Sequence, residues 1–263
     1  MNEVASGWSD VDDATLPQRL VIGLDRLRAD PFFIDQKARL RADLEVEGDE
    51  RIVDVGCGTG EDAVDLARIG CTVVGIERSA VMAAEARRRS SAVSYVVADT
   101  GRLPLRSGAF DRVRVDRVLQ HLRDGAGAAH EWRRVLRRDG VVAIFEPDLT
   151  TARIDGLDAT AAEAVCRWRA HTRPGAASVS SLREVLEAAA LRVVRLESTR
   201  LELDDLDRAD GIMGLVDWGE AAARAGVLDP AAGRRWRDDA RAASRCGALR
   251  YSCDYVRATA RAI

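Results

Sequence analysis

The stretch Arg51-Ile-Val-Asp54-Val-Gly56-Cys-Gly58-Thr-Gly60-Glu-Asp62 decides the fold. Its apolar, β-branched start predicts a strand over Arg51 to Val55. Glycines at alternate positions then predict a turn that reaches positive φ and lets the backbone approach a ligand closely. Glu61 and Asp62 open the next segment, where acids favour the positive end of a helix. That helix is expected over Glu61 to Ile69, stopping at Gly70. Alone, such a loop fits either a nucleotide-like site or a plain tight connection.

The neighbouring sequence favours the site. Cys71 to Ile76 reads as a second strand and Ser79 to Arg89 as a helix. Val93 to Val97, Phe110 to Val115 and Val141 to Phe145 read as three more strands, with a helix over Ala128 to Leu136. Alternation of this kind predicts a parallel sheet covered on both faces, an α/β, Rossmann-like doubly wound fold. Ligands of such sheets sit at the carboxyl ends of the strands. There the second strand runs into Glu77, placed to accept both hydroxyls of a ribose, with Arg78 beside it. The third runs into Asp99-Thr100, where a carboxylate can accept from an adenine amino group and an adjoining amide can donate to a ring nitrogen. Glu61 and Asp62 at the helix start would repel a pyrophosphate, which argues against a dinucleotide and an oxidoreductase. A ligand with ribose and adenine but no phosphate fits better, and S-adenosylmethionine is such a ligand.

Further motifs agree: Val74-Gly-Ile-Glu77, Val97-Ala-Asp99, Leu103-Pro-Leu105, Phe110-Asp111, Asp116-Arg-Val-Leu-Gln-His-Leu122 and Val135-Leu-Arg-Arg-Asp-Gly140. With the glycine loop they resemble the class I S-adenosylmethionine-dependent methyltransferases, especially the small-molecule branch of ubiquinone- and menaquinone-biosynthesis enzymes. The resemblance covers residues 50–147 well and the flanks loosely. It implies a seven-stranded sheet of order 3-2-1-4-5-7-6 with strand 7 antiparallel, Leu191 to Leu203 being strand 6 and the stretch from Leu249 strand 7. It also implies that Gly56, Gly58 and Gly60 pass under the methionine part, that Glu77 holds the ribose and Asp99 with Thr100 the adenine, and that Asp116 and Arg117 line the sulfonium end. S-adenosylhomocysteine would be the product.

Composition sets the outer limits. Of 263 residues, 47% are hydrophobic and 32% charged, which is globular rather than disordered. A net charge of −3 gives no sign of a nucleic-acid partner. Lys37 is the only lysine. Five cysteines without a C-x-x-C pair, far from the three histidines, predict no metal site and reduced thiols. No apolar run is long enough to span a membrane, and Met1 to Asp13 does not read as a signal peptide, so a cytoplasmic protein is expected. Residues 1–45 are expected to form a tail and helical cap. Residues 46–263 are expected to form the methyltransferase domain, with cap insertions near 149–181 and 204–247. Within the first insertion, Pro174 to Ser181 reads as a loop. Arg112 and Arg114 disturb this picture, because a central strand should be apolar; they must snorkel or pair.

Methyl transfer needs chiefly an aligned nucleophile. His121, just past the fourth strand, is the candidate base, since an ordinary histidine titrates near 6.5. Glu146 and Asp148, after the fifth strand, and Trp218, in the second insertion, are candidates for contact with a small-molecule substrate. Arg39 is the candidate partner for the cofactor's carboxylate. A second function fits the same fold: a cofactor-binding protein with cyclase-like, non-methylating activity. The oligomeric state is open.

Overall fold

A computed structural model describes Asp12 and residues 17–263. Of the tail and helical cap expected over residues 1–45, residues 1–16 apart from Asp12 lie outside the described residues. In chain order the elements are α1 (Pro17–Ala29), α2 (Pro31–Asp43), β1 (Arg51–Val55), α3 (Glu61–Arg68), β2 (Thr72–Glu77), α4 (Ala80–Arg89), β3 (Ser94–Val97) and β4 (Phe110–Asp116). A 3-10 turn at Leu119–His121 leads to α5 (Gly125–Val135), β5 (Leu136–Asp155), α6 (Ala159–His171), α7 (Ala176–Ser180), α8 (Leu182–Ala188) and β6 (Leu191–Leu203). Then come α9 (Leu206–Met213), a 3-10 turn at Leu215–Asp217, α10 (Trp218–Arg224), α11 (Pro230–Arg245) and β7 (Arg250–Ala262).

The strands form one sheet in the order β3-β2-β1-β4-β5-β7-β6. β7 runs antiparallel to both β5 and β6, and the pairs among β1 to β5 are parallel. Side chains alternate across the sheet and feed two cores. Ile52, Ala143 and Phe145 face α2, α3, α6 and the helices α9 to α11. Val53, Val113, Val115, Val142 and Ile144 face Trp132 of α5 and Leu186 of α8. The expected order and the antiparallel last strand are therefore present.

Two details differ from expectation. β5 continues to Asp155, pairing with β7 across an irregularity between Asp148 and Arg153, so the chain leaves the sheet only after residue 155. The stretch read as a loop contains α7, whose Ala176 and Val179 are buried. Glycine and serine content signals a loop there, but burial of the two apolar residues favours a helical turn.

The arginines of β4 both pair. Arg112 donates to the carbonyls of Leu44 and Glu45, satisfying orphan groups at the end of α2. Arg114 is buried and donates to Asp54 on β1 (2.8 Å) and Asp116 (2.7 Å), with Asp62 on α3 at 3.1 Å. Lys37 of α2 closes the cluster, donating to Asp62 and to Asp116, the latter at 2.9 Å. Burial pushes the Asp116 carboxyl up, but Lys37, Arg114 and Arg117 outweigh it and hold the group well below the usual carboxylate range. Burial likewise raises Asp62, and Arg114 and Lys37 win there too. For Asp54 burial prevails and the pKa rises.

Removing one partner of a buried charge cluster leaves the others uncompensated. Arg114→Met is expected to cost about 3–5 kcal/mol in urea unfolding. Because Asp62 and Asp116 have lowered folded pKa values, their contribution is complete above the ordinary value of 3.8 and fades as pH falls below it. The variant should therefore lose less stability than the wild type between pH 5 and pH 2 (roughly the carboxylate range).

Candidate functional site

The carboxyl edge of the sheet opens into a cavity of about 870 Å³. Gly56, Gly58, Glu77, Arg78, Asp99, Thr100, Asp116, Arg117 and His121 all line it. The glycine loop is held there by β2. The amides of Gly56 and Cys57 donate to the Ile76 carbonyl, and Gly58 donates to Glu77 Oε2 at 2.9 Å. Glu77 Oε1 accepts from the Ser79 amide, so one carboxylate fixes both the loop and the start of α4.

The three glycines have separate reasons. All take positive φ: +68° at Gly56, +56° at Gly58 and +84° at Gly60. A Cβ on Gly56 would overlap the Val118 side chain, and one on Gly60 would overlap the Tyr95 hydroxyl. Those two are demanded by packing inside the protein, and Gly60 does not line the cavity, contrary to the expectation. At Gly58 the nearest atom to such a Cβ is Leu24 Cδ1 at 3.4 Å, so this glycine borders open cavity. The acids at the helix start are also explained differently. Asp62 is tied to Arg114 and Lys37, and Glu61 to Thr59 and Arg89, so neither stands free as a repelling charge.

After β4 the chain makes a strained turn. Arg117 takes φ +60°, a left-handed value unusual for a bulky residue, while its amide donates to the Phe145 carbonyl at 2.8 Å. Glu146 braces the residues just beyond it. It is fully buried, accepts from the amides of Val118 and Leu119 at 2.6 Å and from Gln120 at 3.4 Å, and does not line the cavity. It holds the turn that carries His121, and the expected substrate contact is corrected to this structural one. Burial pushes its pKa up to about 8, against the pull of the three amides.

His121 does face the cavity, and its Nδ1 is buried without a hydrogen-bond partner among the described residues. Burial lowers its pKa to about 3, and the charges of Arg173, Arg117 and Arg78 add to that. That shift favours the neutral ring near pH 6.5, where an ordinary histidine would titrate.

Three other candidates lie off the cavity. Arg39 is exposed on α2 and paired with Asp35 at 2.8 Å, an i,i+4 pair. Asp148 accepts from Thr150 and from Ser180 Oγ. Trp218 is buried, donating from Nε1 to the Met213 carbonyl at 3.0 Å. Met213 itself lines the cavity, as do Leu24, Leu149, Arg169, Arg173 and Tyr255, none of which carries a sequence motif that marks it. Among the described residues no cluster of His, Cys, Asp and Glu is arranged to hold a metal, and no helix is long and apolar enough to cross a membrane.

The turn gives two expected outcomes. Glu146→Ala strands buried amides and should cost at least about 1–3 kcal/mol, while Glu146→Gln keeps an acceptor and should cost less. A folded pKa near 8 against an ordinary 4.5 means the native state holds a proton that the unfolded chain releases. Wild-type stability should thus fall from pH 5 to pH 8 (roughly that window), and Glu146→Gln should flatten the slope in chemical denaturation. For His121, pH–rate profiles of the wild type and His121→Gln should run parallel through the range around pH 6.5; a histidine-dependent rise there would contradict the neutral ring.

Comparison with known proteins agrees with this architecture. Residues 53–144 match the family model described as a methyltransferase domain. An uncharacterized 37.1 kDa protein of transposon TN4556 from Streptomyces fradiae is 35% identical over 225 residues, covering 82% of this chain and 64% of that protein. A demethylmenaquinone methyltransferase of Beutenbergia cavernae is 34% identical over 127 residues, 48% of this chain and 50% of that one. The chain thus spans about half to two thirds of the length of these curated relatives. Among solved structures, the [4+2]-cyclase SpnF superposes with a TM-score of 0.55 at 25% identity, covering 87% of this chain and 80% of its own. The match over the glycine loop and five strands, set on the seven-stranded order described above, makes residues 53–144 similar to a methyltransferase domain.

Proposed function

We propose that the chain binds S-adenosylmethionine at the carboxyl edge of the sheet and transfers its methyl group to a small organic acceptor. The observation that carries this reading is the Gly58–Glu77 link. It sets a loop open to the cavity beside a carboxylate at the end of β2, with Asp99 and Thr100 lining the same cavity. The residues fit the cofactor's parts. Glu77 retains lone pairs for ribose hydroxyls, Asp99 and Thr100 suit the adenine, and Gly56, Gly58, Asp116 and Arg117 border the space left for the methionine end. The family match and the fold of a Haemonchus contortus phosphoethanolamine N-methyltransferase solved with S-adenosyl-L-methionine (TM-score 0.61, 16% identity) support the assignment.

When bound, the cofactor supplies an electrophilic methyl group on a sulfonium. The protein's part is alignment and exclusion of water. Leu24 and Leu27 of α1 border the cavity on one side, and Leu149, Ile212, Met213 and Tyr255 supply further apolar wall. His121, being neutral, orients a polar group by hydrogen bonding rather than collecting a proton near neutrality.

A second reading has one observation in its favour: SpnF, named as a cyclase, shares the fold at 25% identity. Methyl-labelled cofactor with candidate acceptors separates the two readings, because a cyclase transfers no label. For the site itself, calorimetry with S-adenosylhomocysteine should show Glu77→Ala weakened by about 1–3 kcal/mol. Gly58→Val should fold but fail to bind, since a β-branched side chain would occupy the open side of the loop. Unchanged affinity in both variants would place the cofactor elsewhere.

A further inference from the structure

The cavity is divided electrostatically. The carboxylates that line it are already engaged. Glu77 holds two amides, Asp116 belongs to the Arg114 cluster, Asp99 accepts from Gly101 at 2.8 Å, and Asp124 caps α5 through Gly127 at 2.7 Å. On the α6 side the lining residues include Arg169.

Arg169 is the unusual one. Among the described residues its guanidinium has no carboxylate partner, and its one described contact is the face of Trp218, 3.8 Å from the ring centroid. Burial lowers its pKa to about 9, and the charge of Arg173 lowers it further in the same direction. An enclosed cation without a carboxylate partner among the described residues is costly. The backbone nevertheless enforces the arrangement. The Gly175 amide donates to the Gln120 carbonyl at 3.0 Å, and a Cβ on Gly175 would overlap the Leu119 carbonyl oxygen. That contact locks the end of α6 against the turn bearing His121, whose Nδ1 is also without a partner among the described residues. A planar guanidinium stacked on an aromatic face keeps its N–H donors in its own plane and clear of the ring, in the edge-on, two-pronged geometry that suits a carboxylate or phosphate.

Resting on the methyl-transfer reading above, we infer that the acceptor carries an anionic group, a carboxylate or a phosphate, bound by Arg169 on the α6 side of the cavity. The anion supplies the counter-charge that no described carboxylate gives Arg169. His121 Nδ1 offers it, or an adjoining polar group, one further hydrogen bond.

The test uses the full chain and three titrations. S-adenosylhomocysteine is first titrated into wild type and Arg169→Met. Equal affinities are expected; failure to bind wild type would sink the methyl-transfer reading itself. A drop of tenfold or more (roughly the loss of one bidentate pair) in Arg169→Met alone would mean that Arg169 holds the cofactor's own carboxylate, and would overturn the proposal. Malonate and inorganic phosphate are then titrated separately into the S-adenosylhomocysteine-loaded protein at constant ionic strength, with glycerol as the neutral control. Saturable binding of at least one anion is expected, weakened about tenfold or more in Arg169→Met and partly kept in Arg169→Lys. Which anion binds more tightly tells carboxylate from phosphate. No saturable anion binding, or equal binding in the methionine variant, overturns the assignment. Thermal unfolding without ligand gives an independent readout. Arg169→Met should melt higher, because an enclosed charge without a carboxylate partner is gone, whereas a lower midpoint with unchanged anion binding would make Arg169 a packing partner of Trp218 only.

Discussion

A single guanidinium, that of Arg114, joins carboxylates from three elements: Asp54 at the centre of β1, Asp62 in the first turn of α3 and Asp116 at the end of β4. Lys37 extends the junction to α2. Asp54 precedes the glycine loop and Asp62 comes after it, so the cluster clamps both ends of the segment that borders the cavity. The arrangement makes chemical sense only as a whole. Each carboxylate would be too costly to bury alone, and Arg114 would be too costly to bury without them. Hydrophobic packing on the two faces of the sheet supplies the bulk of the stability, while this junction fixes where the loop sits relative to the strand ends.

The cavity is then assembled from loops fixed by unlike means. Glu77 binds the glycine loop to the start of α4 through two amides. Glu146 binds the turn after β4 through three. Both are acids at strand ends, yet only Glu77 faces the cavity. The result has two characters: on the β2 side, acids and backbone groups suited to a ribose and a base; on the α6 side, the Arg169 guanidinium, suited to an anion. A sulfonium donor and an anionic acceptor would each meet the part of the wall that favours it, and desolvation strengthens both.

Much of this is legible in the sequence because it is local. The strands, the glycine turn, Glu77 and Asp99 come from periodicity and from residues at strand ends, and the family resemblance supplies the order of the last two strands. What the sequence hides is long-range. The role of Lys37 depends on Asp116, far along the chain, and Arg114 announces only that it needs a partner. Glu146 and Asp148 flank Pro147 in an edge position that suggests substrate contact, but alternation along β5 and its pairing decide which side chain turns inward. Arg39 is an arginine in the right helix, while its exposed face and Asp35 one turn away hold it elsewhere. Arg169 carries no local signal at all among so many arginines. Its distinction, an enclosed cation without an acid among the described residues, exists only after folding.

One cavity, on this reading, holds the cofactor at the Glu77 end and leaves Arg169 of α6 for the acceptor. A crystal structure of the protein with S-adenosylhomocysteine tests that division most directly. It should show ribose hydroxyls on Glu77, the adenine beside Asp99 and Thr100, and no cofactor atom in hydrogen-bond reach of Arg169. A cofactor seated away from Glu77, or one whose carboxylate rests on Arg169, would contradict it.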